Sequence, residues 1–391
     1  MRSSSGIKIV VMLVLAVLAI VTAPRTALAG GTVGSGTPAS CDEAALNGAL
    51  GGGGLINFSC GGVRTITITS YKQIADDTTI DGGGLITLSG SNSSLFQVFF
   101  SKSLTLTHIA LASGRSNVTG GIENFGTTTI IGSQLLNNQS TIRGGAILNH
   151  GTLILMDSTL TGNQAATGVS AIIDDSQIIS NSAHYGAGIE NSGAIMVTNS
   201  AISRNRATQD GGGLWNLNGQ VSLQDVSVSA NQAGAAGGGM YQGSGNATLL
   251  YVTVAGNTAA FGAGLCKDGS SPGTMFLRDC LLSGNVTGNC DGVVGSAGHN
   301  MSSDSHCASF VQPGDKQSVQ LLLAPLANNG GPTLTQMPLA GNPAINGGDC
   351  ISGITIDQRS ATRPVGSTCD VGAVEFGALA AKTYVPLCRN Q

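Results

Sequence analysis

A parallel β-solenoid is the fold class this sequence predicts, on two repeating patterns and one composition. A Gly-Gly-aliphatic-x-Asn motif returns about every 25 residues, and alternating β-formers that run into a second Asn follow most copies. The chain of 391 residues carries 59 Gly, yet only 10% of its residues are charged and 4% aromatic. With 41% apolar residues it is too apolar to be disordered. So much Gly suits many short strands and tight turns rather than a large mixed α/β enzyme. The balance of 21 Asp+Glu against 17 Lys+Arg shows no basic stripe along the sequence, so nucleic acid is a poor partner.

The first element, residues 1–29, reads as a secretory signal peptide. Arg2 and Lys8 precede an apolar run from Ile9 to Ala23, and Ala27-Leu28-Ala29 is a small-x-small cleavage site. Its removal leaves 14 Lys+Arg against 21 Asp+Glu, a net charge of −7, and no further stretch apolar enough to span a bilayer. All nine Cys survive cleavage, and in an exported chain they read as disulfides. Proximity pairs Cys41 with Cys60, Cys266 with Cys280, Cys290 with Cys307 and Cys350 with Cys369, leaving Cys388 as a free thiol or an intermolecular link.

Residues 30–53 form an N-terminal cap. Ser40-Cys41-Asp42-Glu43 reads as a capping box that opens a short amphipathic helix through Leu46 and Leu50, a lid on the first coil. The solenoid itself is expected over 54–291, as about ten coils of roughly 25 residues with three short strands each. Its Gly motifs place Ile122, Ile147, Ile172, Ile189, Leu214, Met240 and Leu265 in one buried column, spaced 25, 25, 17, 25, 26 and 25 residues apart. On this alignment the coil around Ser170 to Asn181 has lost about eight residues. Asn138, Asn163, Asn181, Asn205, Asn231, Asn257 and Asn285 stand in one register, as an amide ladder rising at the strand spacing requires. A unit this small cannot bury its apolar face alone, whereas stacked units can. The right-handed form is expected. A β-propeller is the alternative, but its blades need about 40 residues. The period fails after Asn289, and Pro and Asn-Gly-Gly signals mark a C-terminal segment over 292–377, followed by a tail, 378–391.

These residues carry a resemblance. Cys41, Asp81-Gly82-Gly83-Gly84 and Ile86-Thr87-Leu88-Ser89-Gly90, followed by the repeats, resemble the pectate-lyase-like right-handed β-helix proteins of bacterial surfaces. The C-terminal segment resembles the choice-of-anchor Q domain through Gly298-His299-Asn300, Pro325 to Thr333, Asn342-Pro343-Ala344-Ile345-Asn346, Asp357-Gln358-Arg359, Arg363-Pro364 and Cys369 to Glu375. Ser360 stands where that pattern has Gly, and the tail carries no apolar span or sorting motif. The resemblance implies a secreted or cell-surface protein.

Enzymes of this fold act on acidic polysaccharides, as lyases with calcium-binding carboxylates and a Lys or Arg base, or as hydrolases with carboxylates facing the scissile bond. Six residues before each ladder Asn stand Gly132, Asp157, Asp175, Asn199, Asp225, Tyr251 and Asp279. Asp157 and Asp175 are thereby neighbours, a weak calcium pair without a nearby base. The bland reading is that Asp and Asn begin turns there. One position after each buried aliphatic, Glu190, Trp215 and Tyr241 stack outward on consecutive coils, the aromatic-plus-carboxylate surface that sugar rings require. No catalytic residue is assigned. The expected function is a non-enzymatic, glycan-binding, adhesive or structural rod, with no resident cofactor and an extracellular glycan as partner. A polysaccharide lyase or glycoside hydrolase is the alternative.

Overall fold

A computed structural model describes residues 30–141, 144–164 and 171–380. The signal peptide, Cys388 and most of the tail lie outside the described residues. The chain forms a parallel β-solenoid of about ten coils, and every ladder between its strands is parallel. The coils are built on a first wall (Thr127–Ile131, Thr152–Met156, Ala194–Thr198), a second (Gln134–Leu136, Thr159–Thr161, Ala201–Ser203) and, in most of them, a third (Ile122–Asn124, Leu214–Asn216, Met240–Gln242). A two-residue strand such as Arg115–Ser116 or Arg206–Ala207 forms a short fourth side. Alternation sends Leu104, Ile130, Leu155, Ile173, Val197, Leu223, Leu249 and Leu277 into one continuous core. Parallel pairing reaches beyond 54–291 on both sides, from Gly31–Val33 to Met301–Ser302.

The corner between the first and second walls explains a sequence column. His108, Gly132, Asp157, Asp175, Asn199, Asp225, Tyr251, Asp279 and His299 all hold φ between 46° and 57°. Gly, Asp and Asn tolerate this left-handed conformation with the least strain, which is why they dominate the column. Just past the corner, Ser158, Ser176 and Ser200 each accept an N–H from the coil before (3.0–3.2 Å). At the next corner the Asn ladder runs unbroken from Asn138 to Asn285, Nδ2 to Oδ1 at 2.9–3.1 Å. Each Oδ1 also accepts a backbone N–H, as in Asn181 N–H to Asn205 at 3.0 Å. The buried amides are thus satisfied, and every coil is keyed to its neighbour.

Three expectations are corrected. Ile172 does not belong to the third-wall column: it pairs with Ile154 and Met196 in the first wall. Ile147 and Ile189, 42 residues apart, bracket two coils of the first and second walls, and the described residues supply no third-wall strand between them. The shortening itself holds, since the ladder neighbours Asn163 and Asn181 are 18 residues apart, and among the described residues the third wall forms two sheets. Helix α1, Glu43–Leu50, forms with Leu46 wholly buried, but its N-cap is Asp42, whose Oδ1 accepts Ala45 N–H at 2.8 Å. Ser40 instead closes a 3-10 turn, and Glu43 reaches across to Lys72 and Thr69. Finally, Cys266 and Cys280 are buried free thiols. Cys266 sits on the outer side of a third-wall strand, whereas Cys280 points into the core just past the corner, so the coil wall separates them. The pairs Cys41–Cys60, Cys290–Cys307 and Cys350–Cys369 are bonded, the chemistry of an oxidising compartment.

Beyond Ser302 the chain turns back along the solenoid. Tyr251 donates to Asp349 O, Ser227 bonds Gln358 (2.7 Å), Thr333 donates to Asn199 O (3.1 Å) and Gln177 donates to Pro332 O (3.4 Å). A buried ion network clasps it there. Arg363 is wholly buried: Nη1 donates to Asp225 (2.6 Å), Nε to Glu375 (3.2 Å) and Nη2 to Gly372 O (2.9 Å). Its guanidinium lies 4.0 Å from the centroid of the Tyr251 ring. Arg359 forks onto Asp357 (2.7 and 3.0 Å). Of the motif residues in this segment, Gln358 and Arg363 bond the coils directly, and Asp357, Arg359 and Glu375 brace them from within the segment. No helix among the described residues is long and apolar enough to cross a membrane.

Candidate functional site

The third wall places Glu190 opposite Trp215, Trp215 opposite Tyr241, and Tyr241 opposite Cys266. Their strand neighbours Ile189, Leu214, Met240 and Leu265 are buried, so by alternation this column faces outward. The Gly motifs in front of each strand leave it room. At Gly211, φ is 68° and an added Cβ would sit 2.5 Å from Trp215 Cβ.

Rings from the preceding turn complete the surface. Tyr185 stacks on Trp215 with centroids 4.7 Å apart and planes inclined by 21°, and His184 meets Tyr185 edge-on at 4.6 Å. Sequence reasoning missed both residues, because they lie between strands, where no period operates. The one signal was their position just before a Gly motif, which Asp210 and the exposed Phe261 share on later coils.

The polar atoms of this face are unusual. Glu190 Oε2 and Trp215 Nε1 are both buried and lack a hydrogen-bond partner among the described residues. Burial pushes Glu190 from 4.5 up to about 7. Near neutral pH its carboxyl is then partly protonated and can donate as well as accept. Burial, then Asp268 and Asp210, push Tyr241 up to about 12, so its hydroxyl stays protonated. Burial also raises Asp210, against the Ala236 N–H and His184. The result is a half-buried aromatic shelf, on an acidic face, with one donor and one carboxyl unanswered.

Asp157 and Asp175 lie elsewhere, at the corner of the first and second walls, where the Asp157 N–H donates to Asp174 O (3.3 Å). Burial raises Asp157, helped by Asp174. Burial, then Asp174 and Asp157, push Asp175 to about 7. Asp174 already accepts from Thr198 (2.5 Å) and Asn199 (3.1 Å). Neither Asp157 nor Asp175 has a Lys or Arg partner among the described residues, which also hold no group of three or more His, Cys, Asp or Glu arranged for a metal ion. The two columns face different sides of the solenoid, so the structure does not bring the acidic pair and the aromatic shelf together.

No protein-family model matches the chain, and no curated protein matches it in sequence. Among solved structures, a crystal structure of pectate lyase Pel9A is similar over 82% of this chain and 87% of its own, with 13% identity and a TM-score of 0.46.

Proposed function

We propose that this protein is a secreted or cell-surface, non-enzymatic rod that binds glycan on its aromatic shelf. The observation that carries the reading is the Tyr185–Trp215 stack, with Trp215 Nε1 and Glu190 Oε2 both buried without a partner. A sugar ring supplies what that shelf lacks: an apolar C–H face for the rings, and hydroxyls that accept from the indole and bond the carboxyl. Glu190, Asp210 and Asp291 make the face acidic, which favours uncharged sugars over uronates. The three disulfides support an extracellular setting. Cleavage after Ala29 would deliver the rod there. Its parts are then the cap at 30–53, the solenoid at 54–291 and the choice-of-anchor Q-like segment at 292–377, whose motif residues act as a clasp. No cofactor is assigned.

A second reading, a polysaccharide lyase or glycoside hydrolase, draws support from one observation: Asp175, raised to about 7 beside Asp157 and Asp174, has the acidity of a general acid. It lacks a basic partner, and a lyase needs one.

Affinity electrophoresis of residues 30–391 in gels holding neutral polysaccharides tests the first reading. Retardation by at least one glycan, abolished in Trp215→Ala and weakened in Tyr185→Ala, is the expected result. Retardation unchanged in both variants, or none with any neutral glycan, would remove the shelf as the site.

A further inference from the structure

We propose a second binding site, on the short fourth side of the solenoid, for the anionic groups of an acidic polysaccharide lying parallel to the solenoid axis. This site goes beyond the neutral-sugar shelf and does not depend on it. Parallel pairing stacks Arg115, Gln139, Gln164, Ser182, Arg206 and Gln232 in one column over six coils. Two of these residues are 91 positions apart in sequence, which is why no basic stripe was visible there. At roughly 4.8 Å per coil, Arg115 and Arg206 stand about 19 Å apart along the axis.

From Arg115 to Arg206 the column lines a groove of about 910 Å³ that also takes in His184 and Thr208. Among the described residues no Asp or Glu lines it, in a chain where acidic residues outnumber basic ones 21 to 17. Arg115 and Arg206 are exposed, and neither makes an ion pair with any described residue. Two guanidinium forks with amide donors between them, and no competing carboxylate, fit a chain that carries carboxylates or sulfates at intervals. Electrostatics thus divides the two sites. The shelf, with Glu190 and Asp210, disfavours an acidic chain, and the groove attracts one. His184 stands at their junction, edge-on to Tyr185 and 2.8 Å from Thr208 Oγ1. A nucleic acid fits less well, because among the described residues His184 is the one ring in the groove and single strands bind by successive stacking.

The test is surface binding of residues 30–391 to immobilised polygalacturonate and to chondroitin sulfate, with dextran and single-stranded DNA as controls. Arg115→Gln and Arg206→Gln are each expected to weaken acidic-glycan binding about fivefold, and the double variant about 20-fold. Added salt should weaken the wild type in the same direction. Trp215→Ala should leave this binding unchanged, which separates failure of the groove from failure of the shelf. A preference for polygalacturonate identifies carboxylate as the recognised group, and a preference for chondroitin sulfate identifies sulfate. Undiminished binding by the double variant, DNA held as tightly as the glycans, or no acidic glycan held at all would each overturn the proposal. The two arginines are exposed, so the variants should fold, and a wild-type far-ultraviolet circular dichroism spectrum checks that they do.

Discussion

Substituting Glu190 by Gln probes the shelf through its stability as well as its binding. In the folded chain burial raises the carboxyl from 4.5 to about 7. Folding therefore favours the protonated form, so its contribution is fully present below about 4.5 and is lost as pH rises through about 7. A fully desolvated group with that gap would lose about 3 kcal/mol. Glu190 is only partly buried, and screening by water reduces the expected loss to about 1–2 kcal/mol. Gln cannot titrate. Urea unfolding of wild type and Glu190→Gln across pH 4 to 8 should therefore give curves that diverge, with the variant gaining about 1–2 kcal/mol relative to wild type between the two ends. Asp175, which titrates in the same range, is common to both proteins and cancels in the difference. Any constant effect of the amide cancels as well. The same variant should bind neutral glycan more weakly above pH 7, where the ionised carboxyl can accept from hydroxyls at both oxygens and the amide at only one. Parallel curves, with a difference independent of pH, would refute the claim that this carboxyl is desolvated by the shelf.

Arg363→Met strands Asp225 and Glu375 in the interior and should cost about 3–5 kcal/mol; brief trypsin digestion should then release pieces of 313–380 while the coils persist. Resistance equal to wild type would mean the clasp is dispensable. Asn205→Leu removes the acceptor of two Asn181 donors and the donor to Ile178 O and Asn231, at a cost of about 3 kcal/mol in urea unfolding. A change under about 0.5 kcal/mol would show that the ladder does not key the coils. Alkylation in denaturant without reductant should label Cys266 and Cys280 and spare Cys41, Cys60, Cys290, Cys307, Cys350 and Cys369. A Cys266–Cys280 peptide pair in the digest would contradict the wall that separates them.

The coil was legible because stacking demands it. Each strand hydrogen-bonds its equivalent one coil away, so positions such as Asn181, Asn205 and Asn231 must recur at the period. The outward placement of Glu190, Trp215 and Tyr241 followed from the same phase. What escaped lay where the phase does not reach. Ala171-Ile172 imitates a Gly motif, which places Ile172 in the third-wall column by sequence although it stands in the first wall, while the shortening of its coil is observed. Cys266 and Cys280 are near in sequence, but distance along the chain does not say which side of a wall each faces. Tyr185 and His184 sit in a turn, outside any alternation. The clasp joins Arg363 to Asp225 across 138 residues, with no repeat to predict it.

Binding of glycan without cleavage is what the proposed function requires of this solenoid. It is tested most directly by incubating residues 30–391 with a panel of neutral and acidic polysaccharides, with and without calcium, and following new reducing ends and unsaturated products. The expected result is no turnover on any substrate, together with retention of neutral glycan that Trp215→Ala abolishes. Turnover that disappears in Asp157→Ala or Asp175→Ala would contradict it and place an active site at the corner of the first and second walls.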